Sequence, residues 1–172
     1  VITGEGRSFC AGVEVGDHKP DNVDAMVATF NRIFELINMI DIPIIAAVNG
    51  ACLGGGMEVA IACDIVIASE KAIFGQPEVK LGFFPPYAAL RLPELVGVAK
   101  AIEIVTTGQN YSALESKDLG FVSKVASVDD FQAMIDGQVK QICHASPLIL
   151  RLNKRAVKRH IGTSFFQGVD LV

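Results

Sequence analysis

The sequence predicts an α/β domain that ends in a helical tail. Two apolar runs, Pro43 to Val48 and Asp64 to Ser69, read as strands of a covered sheet. Between 23 and 37 the apolar residues instead recur at i, i+3, i+4 and i+7, the spacing of an amphipathic helix. Strands are concentrated in the first half and helices in the second, the pattern of a mixed α/β chain.

Taken in order, Val1 to Thr3 is a strand end and Gly4-Glu5-Gly6-Arg7-Ser8 its turn. Phe9-Cys10-Ala11-Gly12 and Val13-Glu14-Val15 follow, then a polar loop, Gly16-Asp17-His18-Lys19-Pro20. Asp21 or Asn22 can cap the first helix, whose apolar set is Val23, Met26, Val27, Phe30, Ile33, Phe34 and Ile37. The strand ending at Val48 feeds a turn at Asn49-Gly50, and Gly54-Gly55-Gly56 opens a buried helix with Glu58 in its first turn. Ala72-Ile73-Phe74-Gly75 is a short third strand leading to Gln76-Pro77-Glu78.

Pro85-Pro86 can start a helix through Leu95, because proline fits the first helical turn. Val98 to Thr106 is helical and stops at Gly108, and Ser112-Ala113-Leu114-Glu115 is a capping box for a short helix ending at Gly120. Phe121 to Val125 reads as a strand, and Val128 to Cys143 as a helix with Phe131, Met134, Ile135 and Ile142 inward. Ser146-Pro147 caps a last helix carrying Arg151, Lys154, Arg155, Lys158 and Arg159. No internal repeat stands out. The division expected is a core over 1–126 and a helical region over 127–172, with both ends abrupt enough to suggest a longer parent chain.

The 172 residues suit one domain with a sizeable core. A net charge of −4 argues against electrostatically driven nucleic-acid binding. Apolar runs are broken by Asn49, Glu58 and Asp64 before they reach membrane-spanning length. Cys10, Cys52, Cys63 and Cys143 are scattered without a CxxC pair or a histidine at ligand spacing, so reduced thiols, no metal and a cytoplasmic location are expected. The opening residues carry neither a basic start nor a leader-type apolar core.

Two elements could carry chemistry. The small residues of Phe9-Cys10-Ala11-Gly12 and Gly54-Gly55-Gly56 could present two backbone N–H groups to one anionic oxygen, an oxyanion hole, or could simply be tight turns. A phosphate loop is excluded, since neither Gly-Lys-Ser/Thr nor GxGxxG spacing is present. Glu58 and Glu78 are candidate partners in acid–base work if they meet in an apolar pocket, where their proton affinities would be raised and split. Their spacing alone does not bring them together: Glu58 could merely favour a helix dipole, and Glu78 could be an exposed loop carboxylate.

Phe-Cys-Ala-Gly, then Asn-Gly-x-x-x-Gly-Gly-Gly-x-Glu-x-x-x-x-Cys-Asp, then Phe-Gly-Gln-Pro-Glu-x-x-Leu-Gly, at this spacing, resembles the enoyl-CoA hydratase (crotonase) family from Val1 to about Arg159. The resemblance implies a ββα spiral core with a C-terminal helical region that forms trimers, often paired into hexamers. It implies an acyl-CoA substrate, with coenzyme A as part of the substrate and no separate cofactor or metal. Ala11 and Gly55 fall on the positions whose N–H groups hold the thioester oxygen. Glu58 and Glu78 fall on the two glutamates that hold the attacking water in true hydratases.

The chain departs from the family after Leu81-Gly82. Common hydratases carry a Pro-Gly-Ala-Gly-Gly type loop there, whereas this chain has Phe83-Phe84-Pro85-Pro86-Tyr87-Ala88-Ala89, apparently one residue shorter. With Asp17-His18, this pattern is similar to cyclohexa-1,5-diene-1-carbonyl-CoA hydratases of anaerobic aromatic degradation, and implies a flat acyl ring among Phe83, Phe84, Pro86, Tyr87 and His18. Aromatics in core or subunit contacts are the other reading. The basic helix could meet CoA phosphates or be a solvated face. The competing functions are a crotonase-fold isomerase or ring-opening hydrolase, and a non-catalytic acyl-CoA- or RNA-binding paralogue; the glutamate pair and the acidic pI argue against the last two.

Overall fold

The structure is a computed structural model, and it describes residues 1–160; residues 161–172, where the helical tail was expected to continue, lie outside the described residues. Three times the chain lays a strand in one sheet, turns within a few residues, lays the next strand in a second sheet and then enters a helix. These passes are β1 (Ile2–Thr3), β2 (Ser8–Cys10) and α1 (Val23–Met39); β3 (Ile45–Val48), β4 (Ala51–Leu53) and α2 (Gly55–Ala62); and β5 (Ile65–Ser69), β6 (Ile73–Gly75) and α3 (Pro86–Val96). The chain goes on through α4 (Val98–Thr107), β7 (Asn110–Ser112), α5 (Ala113–Leu119), β8 (Lys124–Ala126), α6 (Phe131–Cys143) and α7 (Pro147–His160). This is a ββα spiral with a helical C-terminal region, the fold class that the sequence implied.

The first sheet has the order β1-β3-β5-β8 and is parallel throughout. The second has the order β2-β4-β6-β7, parallel except for its last, antiparallel pair. All four residues of β3 are buried, as suits a parallel strand covered on both faces. On one side Phe74, Met57, Ile61, Leu92 and Ile104 fill the main core. On the other, Ile45, Ala47 and Ile67 meet Ile135, with Phe131, Met134 and Ile142 packed against them, so α6 turns its expected face inward.

Local signals place several boundaries. Ser112 Oγ accepts the Glu115 N–H while the Glu115 carboxylate accepts the Ser112 N–H at 2.7 Å, which completes the capping box of α5. α4 ends at Gly108 in the left-handed region, with φ 59°. The short strands β2, β4 and β7 were not anticipated; three-residue strands carry too little alternation to stand apart from turns. Phe121 and Val122 are buried ahead of β8 rather than in it, so their apolar character reflects core packing. Cys52 and Cys63 are buried and Cys10 and Cys143 exposed, all four as free thiols. Among the described residues no helix is long and apolar enough to cross a membrane.

The basic helix α7 is held by acidic residues of this chain. Buried Lys154 reaches Asp64 at 2.7 Å and donates to the Ile42 carbonyl at 2.8 Å, and Lys158 approaches Asp64 at 3.3 Å. Arg155 pairs with Asp41. Three of the five cations that could have met phosphates are therefore engaged at home; the side chain of Arg159 lies outside the described residues. Asp64 also accepts the Ile44 N–H at 2.7 Å, so one carboxylate joins the end of α2, the start of β3 and α7. Removing Lys154 takes from that carboxylate its one buried cation and leaves it the more exposed Lys158 and the Ile44 N–H. Lys154→Ala is expected to cost about 3 kcal/mol, against about 0.5 kcal/mol for the half-exposed Lys158→Ala. Urea unfolding midpoints test this, and equal losses would remove Lys154 as the anchor of α7.

Candidate active site

β2, β4 and β6 are parallel neighbours, with Cys10 beside Cys52 and Leu53 beside Gly75. The segments that leave them, Ala11-Gly12, Gly54-Gly55 and Gln76-Pro77-Glu78, therefore emerge side by side at the carboxyl edge of one sheet. A cavity of about 410 Å³ opens there, within the range of small-molecule sites. Val23, Met26, Val27 and Phe30 of α1 form its opposite wall. The first half of the α1 apolar stripe thus faces the cavity, and it is Phe34 and Ile37, further along, that enter the core.

The glycine run has distinct reasons at successive positions. Gly54 has φ +55°, and a methyl group there would lie 2.5 Å from Glu78 Oε1. At Gly56 a methyl group would lie 2.2 Å from the Cys10 carbonyl oxygen, so only glycine lets α2 lie against β2. The Gly54 N–H is engaged by the Gly75 carbonyl at 2.9 Å. Gly55 is the first residue of α2, so its N–H has no acceptor within the helix. Gly55 and Ala11 both line the cavity, and a methyl group on the intervening Gly12 would sit 3.7 Å from the Gly55 nitrogen. Two loops with small residues meet where a ligand oxygen could be received.

Glu58 and Glu78 both line this cavity. Glu58 is 2% exposed, and its Oε1 accepts the Ala88 N–H at 2.8 Å, in the first turn of α3. Burial pushes its carboxyl up to about 7; the neighbouring Glu78 adds to the rise, and the Ala88 and Tyr87 N–H groups oppose it. Burial also raises Glu78, while its own N–H and the charge of His18 pull the other way. Gln76, 0% exposed, donates from Nε2 to both Glu78 oxygens at 3.0 and 3.1 Å, in the amide orientation that hydrogen bonding selects. The two carboxyls thus share one apolar chamber under different constraints, one held by a helix start and one by a buried amide.

His18, Phe83, Phe84 and Pro86 line the cavity, with Phe84, 72% exposed, at its mouth. Tyr87 does not line it. Its ring stacks on Phe34 at 4.0 Å and 8°, and Phe34 meets Phe30 edge-on at 4.8 Å, so Tyr87 packs into the core behind the cavity wall. Sequence reasoning passed over Gln76; an uncharged polar residue between a buried strand and Pro77-Glu78 was the available signal. Among the described residues no group of three or more histidine, cysteine, aspartate or glutamate side chains is gathered to hold a metal ion.

Residues 1–169 match the model of the family described as enoyl-CoA hydratase/isomerase. The chain belongs to that family. It is 39% identical over 171 residues to a Dictyostelium discoideum protein named "Probable enoyl-CoA hydratase, mitochondrial", covering 98% of this chain and 62% of that one. It is 37% identical over 164 residues to the short-chain-enoyl-CoA hydratase of Clostridium acetobutylicum, covering 92% and 63%. The crystal structure of an enoyl-CoA hydratase from Bacillus anthracis superposes with a TM-score of 0.94 at 33% identity, covering 98% of this chain and 67% of that one. The chain thus spans less than two thirds of the length of these two sequence relatives.

The burial of Glu58 has a thermodynamic signature. Its carboxyl binds a proton more tightly in the folded than in the unfolded protein, so the stability this supplies is complete below the ordinary carboxyl range, near 4.5, and is lost as pH rises to about 7. Glu58→Gln is therefore expected to gain on the parent across that window, by at most about 3 kcal/mol. Urea unfolding at a series of pH values checks this. A variant whose advantage does not grow with pH would contradict a buried, proton-retaining Glu58.

Proposed function

We propose that this protein adds water reversibly to a carbon–carbon double bond conjugated with a CoA thioester. The observation that carries this reading is the convergence of Glu58 and Glu78 in one chamber lined also by Ala11 and Gly55. In the reaction the Ala11 and Gly55 N–H groups receive the thioester oxygen and stabilise the enolate-like charge that develops on it. Water oxygen bonds to the carbon β to the thioester, the carbon–carbon π bond breaks, and the α carbon gains a proton. One carboxylate accepts the water proton and the other carboxyl supplies the proton to carbon. Burial raises both carboxyls, Glu58 to about 7, so a proton can be exchanged at this site near neutrality.

The acyl group we assign is a cyclic dienoyl ring, cyclohexa-1,5-diene-1-carbonyl-CoA. Phe83, Phe84 and Pro86 supply a stiff aromatic wall suited to a flat six-membered ring. The decisive assay follows hydration of this ester and of crotonyl-CoA, with Glu58→Gln and Glu78→Gln beside the parent. Either substitution is expected to lower kcat by about 10²- to 10⁴-fold, and the parent is expected to prefer the cyclic diene. Preference for crotonyl-CoA would keep hydration and remove the cyclic assignment. A CoA ester that binds without being hydrated would favour isomerase, hydrolase or binding roles.

We further propose that the protein works as a homotrimer or as two paired trimers. Leu148, Ile149, Leu152 and Val157 leave α7 with exposed apolar side chains, which a subunit contact would cover. Multi-angle light scattering should give three or six times the chain mass, and a monomer at micromolar concentration would refute it.

A further inference from the structure

His18 belongs to no element that the hydration chemistry uses. It ends a 3-10 turn, Val15–His18, that follows the Ala11-Gly12 loop and precedes α1. Its Nδ1 lies 3.2 Å from the Glu14 carbonyl oxygen. A carbonyl only accepts, so Nδ1 carries the hydrogen, and in the neutral ring Nε2 is left as an acceptor. The ring lies over Phe83, with centroids 4.2 Å apart and planes 31° apart. A backbone anchor on one edge and an aromatic ring on one face leave the imidazole little freedom. His18, Phe83 and Glu78 all line the cavity, whose surface is otherwise largely apolar.

We propose that His18 is a further positioning residue of this site, held by Phe83 and the Glu14 carbonyl so that Nε2 hydrogen-bonds the water or product hydroxyl that Glu78 holds. The proposal rests on the hydration reading. It gives the Asp17-His18 segment a task, and it makes Phe83 a support for a polar contact as well as an apolar wall. The charge relations agree with the geometry, since protonated His18 favours ionised Glu78. The other titratable groups near this pair are the exposed Glu14 and Asp17 on the histidine's own turn, the exposed Lys80 on the turn of Glu78, and buried Glu58 across the chamber. Of these, Glu58 alone lines the cavity with His18 and Glu78.

Three variants separate this role from simple packing. His18→Phe keeps a ring over Phe83 and removes both nitrogens; His18→Gln restores a polar tip; His18→Ala removes ring and nitrogens together. Hydration kinetics and a carbon-13 NMR titration of the Glu78 carboxyl in ligand-free protein are the two readouts. His18→Phe is expected to lower kcat about tenfold with KM nearly unchanged, to raise the pH at which Glu78 titrates, and to move the acid limb of the kcat/KM profile the same way. His18→Gln should recover part of kcat. Full activity and an unmoved Glu78 titration in His18→Phe would overturn the proposal, as would equal losses in all three variants. If the parent hydrates no enoyl-CoA, the hydration reading fails by itself. The NMR arm then decides for His18, through the Glu78 titration and the response of the Nε2 resonance to an added CoA ester.

Discussion

A buried carboxylate at the start of a helix is the interaction around which this molecule is arranged. Glu58 leaves the first turn of α2, is shielded from solvent, and is received by the N–H of Ala88 in the first turn of α3. Unpaired amides and a positive dipole end make a helix start a suitable host for a carboxylate. Yet burial wins over these donors, since the carboxyl still rises to about 7. The arrangement therefore gives a carboxyl fixed in place by its hydrogen bond and able to exchange a proton near neutrality. A surface glutamate would be ionised there and mobile.

Parallel strands bring the rest of the site to that carboxyl. The second sheet sends out three segments from adjacent strand ends, and each contributes a different kind of group: small residues after β2, a helix start after β4, and Gln76 with Glu78 after β6. Positions separated by dozens of residues become neighbours because the strands share one direction and one edge. The glycines of the run are then matters of clearance, at Gly54 for the Glu78 carboxylate and at Gly56 for the Cys10 backbone.

Much of this was readable from residues whose physics is local. The capping box of Ser112 and Glu115, the stop at Gly108, and the inward face of α6 were all legible from side-chain types at short spacing. The spiral itself came from the family resemblance and not from local signals, because its three ββα passes share geometry rather than sequence, and β2, β4 and β7 are three residues each. That Glu58 and Glu78 would line one cavity was implied by family resemblance, since no spacing rule relates positions separated by 20 residues and two strands. Tyr87 was misplaced for a related reason. An aromatic at the start of a helix can turn to either side, and the partner that turns it inward, Phe34, lies on a distant helix. The cations of α7 had the same ambiguity until Asp41 and Asp64 appeared opposite them.

The segment from Gly82 to Ala88 ties the shape of the cavity to the chemistry of its carboxyls. Gly82 closes a 3-10 turn in the left-handed region with φ 79°, and Pro86 opens α3 only four residues later. Within that short span Phe83 meets His18, Phe84 reaches the mouth, and Pro86 joins the wall. Two residues beyond Pro86 stands the amide that holds Glu58. Proline fixes its own φ, so the span has few ways to adjust one contact without moving the others. Glycines at the same place would let the wall change shape while the helix start stayed where it was. Here the wall and the Ala88 amide that Glu58 accepts from lie within one short span. The shape of the cavity wall and the seating of the Glu58 carboxyl are therefore tied to one stiff piece of chain.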